Sequence, residues 1–84
     1  MEKSFYTGKG IGVCILDTGI YEHIDFTGRI WTFYDFLDFK RRPYDDNGHG
    51  THVAGLVAGD GTASMGKYRG AAPGCGIIAL KVLD

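Results

Sequence analysis

Two short apolar runs constrain the fold of this sequence more than any other feature. They are IGVCIL at residues 11–16 and GIIALKVL at 76–83, and their nearly unbroken apolar character is typical of strands buried on both faces of a parallel sheet. The segment IWTFYDF at 30–36 is rich in aromatic and β-branched residues, which predicts another strand. HGTHVAGLVA at 49–58 predicts a helix. The segments between them are expected to be loops: 21–28, 37–48 and 60–74. The order strand, strand, helix, strand therefore predicts an α/β fold whose parallel sheet is covered on both faces.

The predicted helix contains two glycines, Gly50 and Gly55, each of which disfavours a helix by about 1 kcal/mol relative to alanine. Such a helix must be stabilised by tertiary packing, and glycine would allow another segment to approach it closely. Asn47 or Asp46 is expected to cap its first turn. Three apolar residues are expected to form its buried face: Val53, Leu56 and Val57.

Length and charge limit the classes of function. The 84 residues form at most one small domain, and a net charge of −1 gives no electrostatic basis for binding nucleic acid or an anionic membrane. The basic run at 40–42 is short, precedes Pro43 and is interpreted as part of a solvated loop. We therefore expect neither nucleic acid nor a membrane as a partner.

Cysteine content and hydropathy give information on where in or outside the cell the protein is located. Cys14 and Cys75 form neither a disulfide framework nor a CxxC motif, and they are interpreted as buried or idle thiols in a reducing environment. No run approaches the roughly 18 apolar residues that a membrane-spanning helix needs. The first ten residues lack the hydrophobic core of a signal peptide. These features favour a cytoplasmic over a secreted location without fixing it.

Asp17 directly follows the first predicted strand, in the triplet Asp17-Thr18-Gly19. The carboxyl ends of parallel strands are where functional groups gather, although Asp and Gly are also common in turns. One interpretation is therefore a turn residue. A second is half of an aspartic-protease pair, in which two carboxylates share a proton. Small proteases of that class are all-β, so the predicted helix argues against it.

His49 and His52 form a His-x-x-His pair in the predicted helix, which raises the possibility of a metal site. Residues three apart can lie on one helical face, as zinc ligands do. The zinc-protease helix has instead a His-Glu-x-x-His motif, whereas Gly50 and Thr51 stand between the two histidines here. His52 is therefore interpreted as a packed or hydrogen-bonded histidine of the helix.

Nucleophilic catalysis accounts for Asp17 and His49 together. A hydroxyl nucleophile needs a neutral imidazole to accept its proton, and a carboxylate must fix the tautomer of that imidazole. The positive end of a helix dipole would favour the neutral form of a histidine at the helix start. Asp17, at a strand end, and His49, at the helix start, are therefore candidate catalytic residues.

Three segments carry a resemblance to a known family. They are VCILDTGI at 13–20, NGHGTHVAGLVA at 47–58 and GAAPGCGIIALKVLD at 70–84, and in this order the sequence resembles the subtilisin-like serine proteases (subtilases, peptidase family S8). The resemblance implies a three-layer α/β fold with a mostly parallel sheet and a Ser-His-Asp triad. It makes Asp17 the triad aspartate and His49 the general base and acid, and it gives His52 no catalytic role. It implies a peptide or protein substrate and no cofactor for the chemistry.

Asp25 matches a position where many members of the family use an aspartate to bind calcium. The loop GDGTASMGKYR at 59–69 does not resemble the longer calcium-binding loop of the secreted members. Asp25 is therefore interpreted as an unpaired loop carboxylate. The resemblance makes a structural calcium ion possible in the parent protein, but such an ion is unsupported in this chain.

The serine motif of the family, Gly-Thr-Ser-Met-Ala, is absent. Ser4 and Ser64 are the only serines, and GTASMG at 61–66 places Ala63 between Thr62 and Ser64. We therefore expect Ser64 not to be the nucleophile.

The resemblance implies that residues 1–84 are the N-terminal part of a subtilisin-like catalytic domain, with the Asp and His motifs but without the Ser motif. The remainder of that domain is then an expected partner. Alone, the chain is expected to be inactive and poorly folded. The alternative is a non-catalytic pseudoenzyme that uses this fold as a binding or scaffold module.

Overall fold

Three strands, one α-helix and two short 3₁₀ turns make up residues 8–83, the part of the chain that the computed structural model describes. The strands and helix are β1 (Gly12–Asp17), β2 (Ile30–Asp35), α1 (His49–Ala58) and β3 (Gly76–Lys81). The turns are Ile24–Phe26 and Thr62–Ser64. All four predicted elements are present, and the predicted helix coincides with α1. Both turns fall in segments predicted as loops.

The strands form one parallel sheet in the order β1-β3-β2. The last residues of the three strands, Asp17, Lys81 and Asp35, are paired in register at the carboxyl edge of the sheet. The predicted α/β fold with a parallel sheet is therefore confirmed. The pairing also brings three charged side chains to the edge where functional groups gather in such sheets.

Helix α1 covers one face of the sheet. The core that they share consists of buried apolar side chains: Ile15, Ile20, Phe26, Phe33, Ala54, Ala58, Cys75, Ile77 and Ala79. On the other face, Leu16 is 59% exposed and Cys14 is also exposed. Within residues 8–83 the expected covering of both faces is met on one face only, because the single α-helix in this range lies on one side.

The buried face of α1 agrees with the predicted one only in part, because Val53 and Val57 are half-buried and pack against the core. Its buried residues are the small ones, Gly50, Ala54 and Ala58, whereas Leu56 is 62% exposed. Small residues are required because the start of the helix lies against the backbone of the turn that follows β1. At 10 residues, α1 is the longest helix in the described range, and none there could cross a membrane.

The predicted cap of α1 is only partly correct. Asn47 Oδ1 accepts a hydrogen bond from the His49 N–H at 3.1 Å, but Asp46 does not cap the helix. Asp45 does so instead, because its carboxylate accepts from the backbone N–H groups of Gly48 and Thr51, both at 2.8 Å. The helix start is thus closed by a side chain four residues before its first residue.

Candidate active site

Asp17 places its carboxylate at the carboxyl end of β1. The side chain is 12% exposed, and its Oδ1 accepts a hydrogen bond from the Thr18 N–H at 2.7 Å. The same oxygen lies 2.7 Å from Nδ1 of His49. The hydrogen bond with His49 lowers the pKa of Asp17 and outweighs burial, which raises it. Asp17 is therefore a carboxylate at neutral pH.

His49 is the first residue of α1, and its side chain is 64% exposed. A carboxylate can only accept hydrogen bonds, so the proton between the two side chains belongs to Nδ1 of His49. In the neutral ring, Nε2 then carries a lone pair that can accept a proton. The sequence placed these two residues on separate elements, and the structure brings them together.

A close contact between two glycines sets the spacing of this pair. A Cβ added to Gly50 would lie 2.2 Å from the carbonyl oxygen of Gly19. Gly19 itself has a φ of +124°, and its own Cβ would lie 2.2 Å from the carbonyl oxygen of Tyr44. Because Gly19 follows the Asp17 turn and Gly50 follows His49, only glycine at these positions allows the elements to meet so closely.

In the segment Tyr44-Asp45-Asp46, the first two residues are bonded to the turn after β1 and the third contacts the end of β3. The Ile20 N–H donates to the carbonyl of Tyr44 at 3.0 Å, the Thr18 hydroxyl donates to Asp45 Oδ1 at 2.9 Å, and Lys81 Nζ lies 3.4 Å from Asp46 Oδ1. The sequence predicts only a polar loop for this segment. The pair of acidic residues just before the helix start could have indicated the contact with α1, because a negative charge is favourable at a helix N-terminus.

Lys81 is a buried cation beneath the same turn, and sequence analysis missed it inside an apolar run. It is 2% exposed, and its Nζ donates to the carbonyls of Thr18 at 2.6 Å and Leu83 at 3.2 Å. A buried ammonium group needs such acceptors. Lys81 thus ties the end of β3 to the residue next to Asp17.

Asp35 is the other buried charge that sequence analysis missed. It accepts hydrogen bonds from the Tyr44 hydroxyl and from the N–H groups of Leu37 at 2.8 Å and Asp38 at 3.0 Å. Burial raises the pKa of Asp35, but these hydrogen bonds outweigh it and the net shift is downward. The same contact raises the pKa of Tyr44. Asp35 therefore fixes the segment that contacts the Asp17 turn.

His52 is exposed on α1. The interpretation of His52 as a packed or hydrogen-bonded histidine of the helix is therefore wrong. It lines a groove of about 460 Å³ together with His23, Leu56, Tyr68 and other residues. Within residues 8–83, no group of three or more His, Cys, Asp or Glu side chains could hold a metal ion. His49 contacts Asp17 through Nδ1, whereas His52 lines the groove. The two histidines of the motif therefore do not share one site.

Asp25 has a partner, contrary to the interpretation as an unpaired carboxylate. Its Oδ1 accepts a hydrogen bond from the Ala63 N–H at 2.7 Å, which fastens the turn Thr62–Ser64. The Asp25 carbonyl accepts from the Arg29 guanidinium, and Arg29 also lies 3.9 Å from Asp60. Asp25 Oδ1 and the Asp25 carbonyl oxygen are thus engaged by an N–H group and a guanidinium.

Ser64 is engaged within its own loop. Its hydroxyl donates to the carbonyl of Gly61 at 3.1 Å and accepts from the Tyr68 N–H at 2.9 Å. Ser4 lies outside the described residues.

Comparison with known proteins gives a consistent family. A model described as the subtilase family, Peptidase_S8, matches residues 8–84. The chain is 56% identical over 78 residues to serine protease AprX of Bacillus subtilis, covering 93% of this chain and 18% of that protein. It is 41% identical to thermitase of Thermoactinomyces vulgaris (92% and 28%) and 47% identical to subtilisin-like protease 6 of Trichophyton rubrum (92% and 17%), again over 78 residues. The chain thus spans between 17% and 28% of the length of these relatives. The family predicted from the two motifs is confirmed, and the chain belongs to the subtilases.

Proposed function

We propose that this chain supplies the aspartate and histidine of a Ser-His-Asp triad, Asp17 and His49, to a serine endopeptidase. The contact of 2.7 Å between Asp17 Oδ1 and His49 Nδ1 is the observation that carries this proposal. Family membership and the name of the relative AprX, a serine protease, support the reaction class. The substrate class that follows is a peptide or protein.

In this mechanism, His49 Nε2 accepts the proton of a serine hydroxyl while the serine oxygen attacks the carbonyl carbon of the peptide bond. Asp17 stays ionised and stabilises the imidazolium that forms. His49 then donates that proton to the leaving amine, which leaves an acyl-enzyme. Attack of water on the acyl group, assisted by His49 again, releases the acid and restores the serine.

The nucleophile of this mechanism is proposed to come from another part of the catalytic domain. Ser64 supports this view because its hydroxyl already has a donor and an acceptor in its own loop. The small share of each relative that the chain spans is also consistent with residues 1–84 being the N-terminal part of a larger catalytic domain.

The matched pair His49→Ala and His52→Ala tests this function in the complete protein that carries the chain. His49→Ala is expected to lower peptide hydrolysis by roughly 10⁶-fold, the scale of loss when the triad histidine of subtilisin is removed. His52→Ala is expected to keep near-normal hydrolysis because His52 is exposed and one turn away from Asp17. Labelling with a fluorophosphonate, which reacts with activated serines, should follow the same pattern.

Two outcomes would contradict the proposal. A folded His49→Ala protein that still hydrolyses peptides would remove His49 from the mechanism. A wild-type protein that neither hydrolyses peptides nor reacts with the fluorophosphonate would favour the non-catalytic alternative.

A further inference from the structure

The carboxylate of Asp45 contacts both sides of the Asp17–His49 pair. Its Oδ1 accepts from the Thr18 hydroxyl at 2.9 Å and from the Gly48 N–H at 2.8 Å. Its Oδ2 accepts from the N–H and the hydroxyl of Thr51, at 2.8 and 2.6 Å. Thr18 follows Asp17 in the chain, whereas Gly48 precedes His49 and Thr51 lies in the same helical turn. One side chain therefore joins the strand end to the helix start.

The hydroxyl of Thr18 completes this connection. It donates to Asp45 and accepts a hydrogen bond from the Gly50 N–H at 2.8 Å. The residue after Asp17 is thus bonded directly to the residue after His49, and Asp45 fixes the direction in which the hydroxyl donates. Any rotation of α1 away from β1 would break several of these hydrogen bonds at once.

The site requires a carboxylate and not an amide. A carboxylate offers acceptors on both oxygens, whereas the amide of asparagine has one accepting atom and one donating group. In an Asp45→Asn variant, the NH₂ group would face donors either at Thr51 or at Thr18 and Gly48. Burial raises the pKa of Asp45, but hydrogen bonds from Thr51, Gly48 and Thr18 outweigh it and lower the pKa to about 2.

The charge of Asp45 does not help to keep Asp17 ionised. The negative charge of Asp45 raises the pKa of Asp17, which opposes the ionised form. The other charges at this corner, Lys81 and Asp46, lie 3.4 Å from each other, and Lys81 donates to the carbonyl of Thr18. The benefit of an acid at position 45 is therefore geometric.

We infer that Asp45 is a positioning residue: it holds Asp17 and His49 at hydrogen-bonding distance through Thr18 and the first turn of α1. This inference rests on the proposed function for its kinetic consequence. Its structural consequence, the integrity of the pair, can be measured without hydrolysis.

The kinetic test compares Asp45→Asn with Asp38→Asn in the complete protein. Asp38 is exposed in the same loop, so the control makes the same change of charge without touching the pair. Asp45→Asn is expected to lower kcat by roughly 10- to 100-fold, the scale of a misplacement of about 1 Å. KM should change by less than about twofold, because the bond network acts on the catalytic pair and not on substrate binding. Asp38→Asn should behave as wild type.

Variants of Thr18 provide a second test if Asp45→Asn does not fold. Thr18→Ser keeps the hydroxyl that joins Asp45 to Gly50, whereas Thr18→Val removes it at similar volume. We expect Thr18→Ser to retain kcat and Thr18→Val to lose about as much as Asp45→Asn. Equal kcat values for the two Thr18 variants would overturn the inference.

The proton resonance of His49 Nδ1–H, observed by NMR, reports the pair directly. In the wild-type protein it should appear at low field because Nδ1–H donates to a carboxylate, and in Asp45→Asn it should weaken or disappear. An unchanged resonance together with unchanged kcat would show that Asp45 does not position the pair. If the wild-type protein is inactive, the proposed function fails, and the resonance alone then decides whether Asp45 positions His49.

Discussion

At the scale of single residues, the site depends on keeping a buried acid ionised. Burial raises the pKa of Asp17, yet its hydrogen bonds with His49 and Thr18, both at 2.7 Å, reverse that shift. Because the ionised group can only accept, it selects the tautomer of His49 in which Nδ1 carries the proton. The chemistry proposed for Nε2 follows from that choice.

Asp17→Asn tests this tautomer selection. The amide can donate to Nδ1, which favours the wrong tautomer, and it provides no counter-charge for the imidazolium. The variant of the complete protein should fold normally while its kcat falls by roughly 10⁴-fold, as for the equivalent change in a chymotrypsin-type triad. Circular dichroism would check the fold and peptide hydrolysis the rate. Near-normal kcat in a folded variant would remove Asp17 from the mechanism.

Asp45 gives a prediction for acid stability. Its pKa is about 2 in the folded chain and about 3.9 in an unfolded one. A depressed pKa stabilises the folded state above pH 4, and this stabilisation is lost as the pH falls from about 4 to about 2. In the complete protein, Asp45→Asn should therefore be less stable than wild type at neutral pH but lose less stability across this window.

Urea unfolding at several pH values between about 2 and 6 measures this effect. Asp17, whose pKa is lowered mainly by its hydrogen bond with His49, should flatten the curve of Asp45→Asn further, because that bond is expected to weaken in the variant. Asp38→Asn should retain the slope of wild type. Parallel curves for wild type and Asp45→Asn would show that the hydrogen bonds of Asp45 do not hold its ionised form.

At the scale of elements, α1 packs at Gly50 directly against the backbone of the turn after β1. Contacts of this kind limited what could be predicted from the sequence. Local patterns predicted all four elements and, through two motifs, the residues that form the Asp17–His49 pair. They predicted the buried face of α1 only in part. Val53 and Val57 pack against the core, but the contact selects small residues and leaves Leu56 exposed. Asp45 was missed as a cap because its other partner, Thr18, is 27 residues earlier in the chain. Lys81 was missed because Thr18 lies 63 residues away from it.

Two glycine substitutions in α1 separate helix propensity from this contact. At Gly50, a Cβ would lie 2.2 Å from the Gly19 carbonyl oxygen, so the backbone must move. At Gly55, no atom outside its own helical turn lies within 4 Å of the added Cβ. Gly50→Ala should destabilise the complete protein by roughly 1–3 kcal/mol through overpacking, whereas Gly55→Ala should stabilise it by up to about 1 kcal/mol.

The rate of peptide hydrolysis should distinguish the same two glycine variants. Gly50→Ala moves His49 away from Asp17 and should lower kcat, while Gly55→Ala should leave kcat unchanged. Thermal unfolding and steady-state kinetics on both variants are sufficient. If Gly50→Ala were as stable and as active as Gly55→Ala, the contact with Gly19 would not set the spacing of the pair.

At the scale of the whole molecule, the described residues bury one face of a small sheet and leave the other exposed. Leu16 of β1 is 59% exposed and Trp31 of β2 is 51% exposed. Only β3 has a neighbour on both sides within residues 8–83, so β1 and β2 present unpaired edges there. Exposed apolar surface and open edges favour association. The Asp17–His49 pair is formed, but within residues 8–83 only one face of the sheet that carries Asp17 is packed.

We therefore expect the 84-residue chain by itself to be poorly folded and inactive. A domain of this size buries only about 60% of the surface of its unfolded chain, and the exposed sheet face reduces the stabilisation further. On heating, circular dichroism should show no cooperative transition, and light scattering should show association that increases with concentration. Peptide hydrolysis should be absent, because the proposed nucleophile is not Ser64. Two results would contradict this prediction: a monomer that unfolds cooperatively, or hydrolysis that Ser64→Ala abolishes.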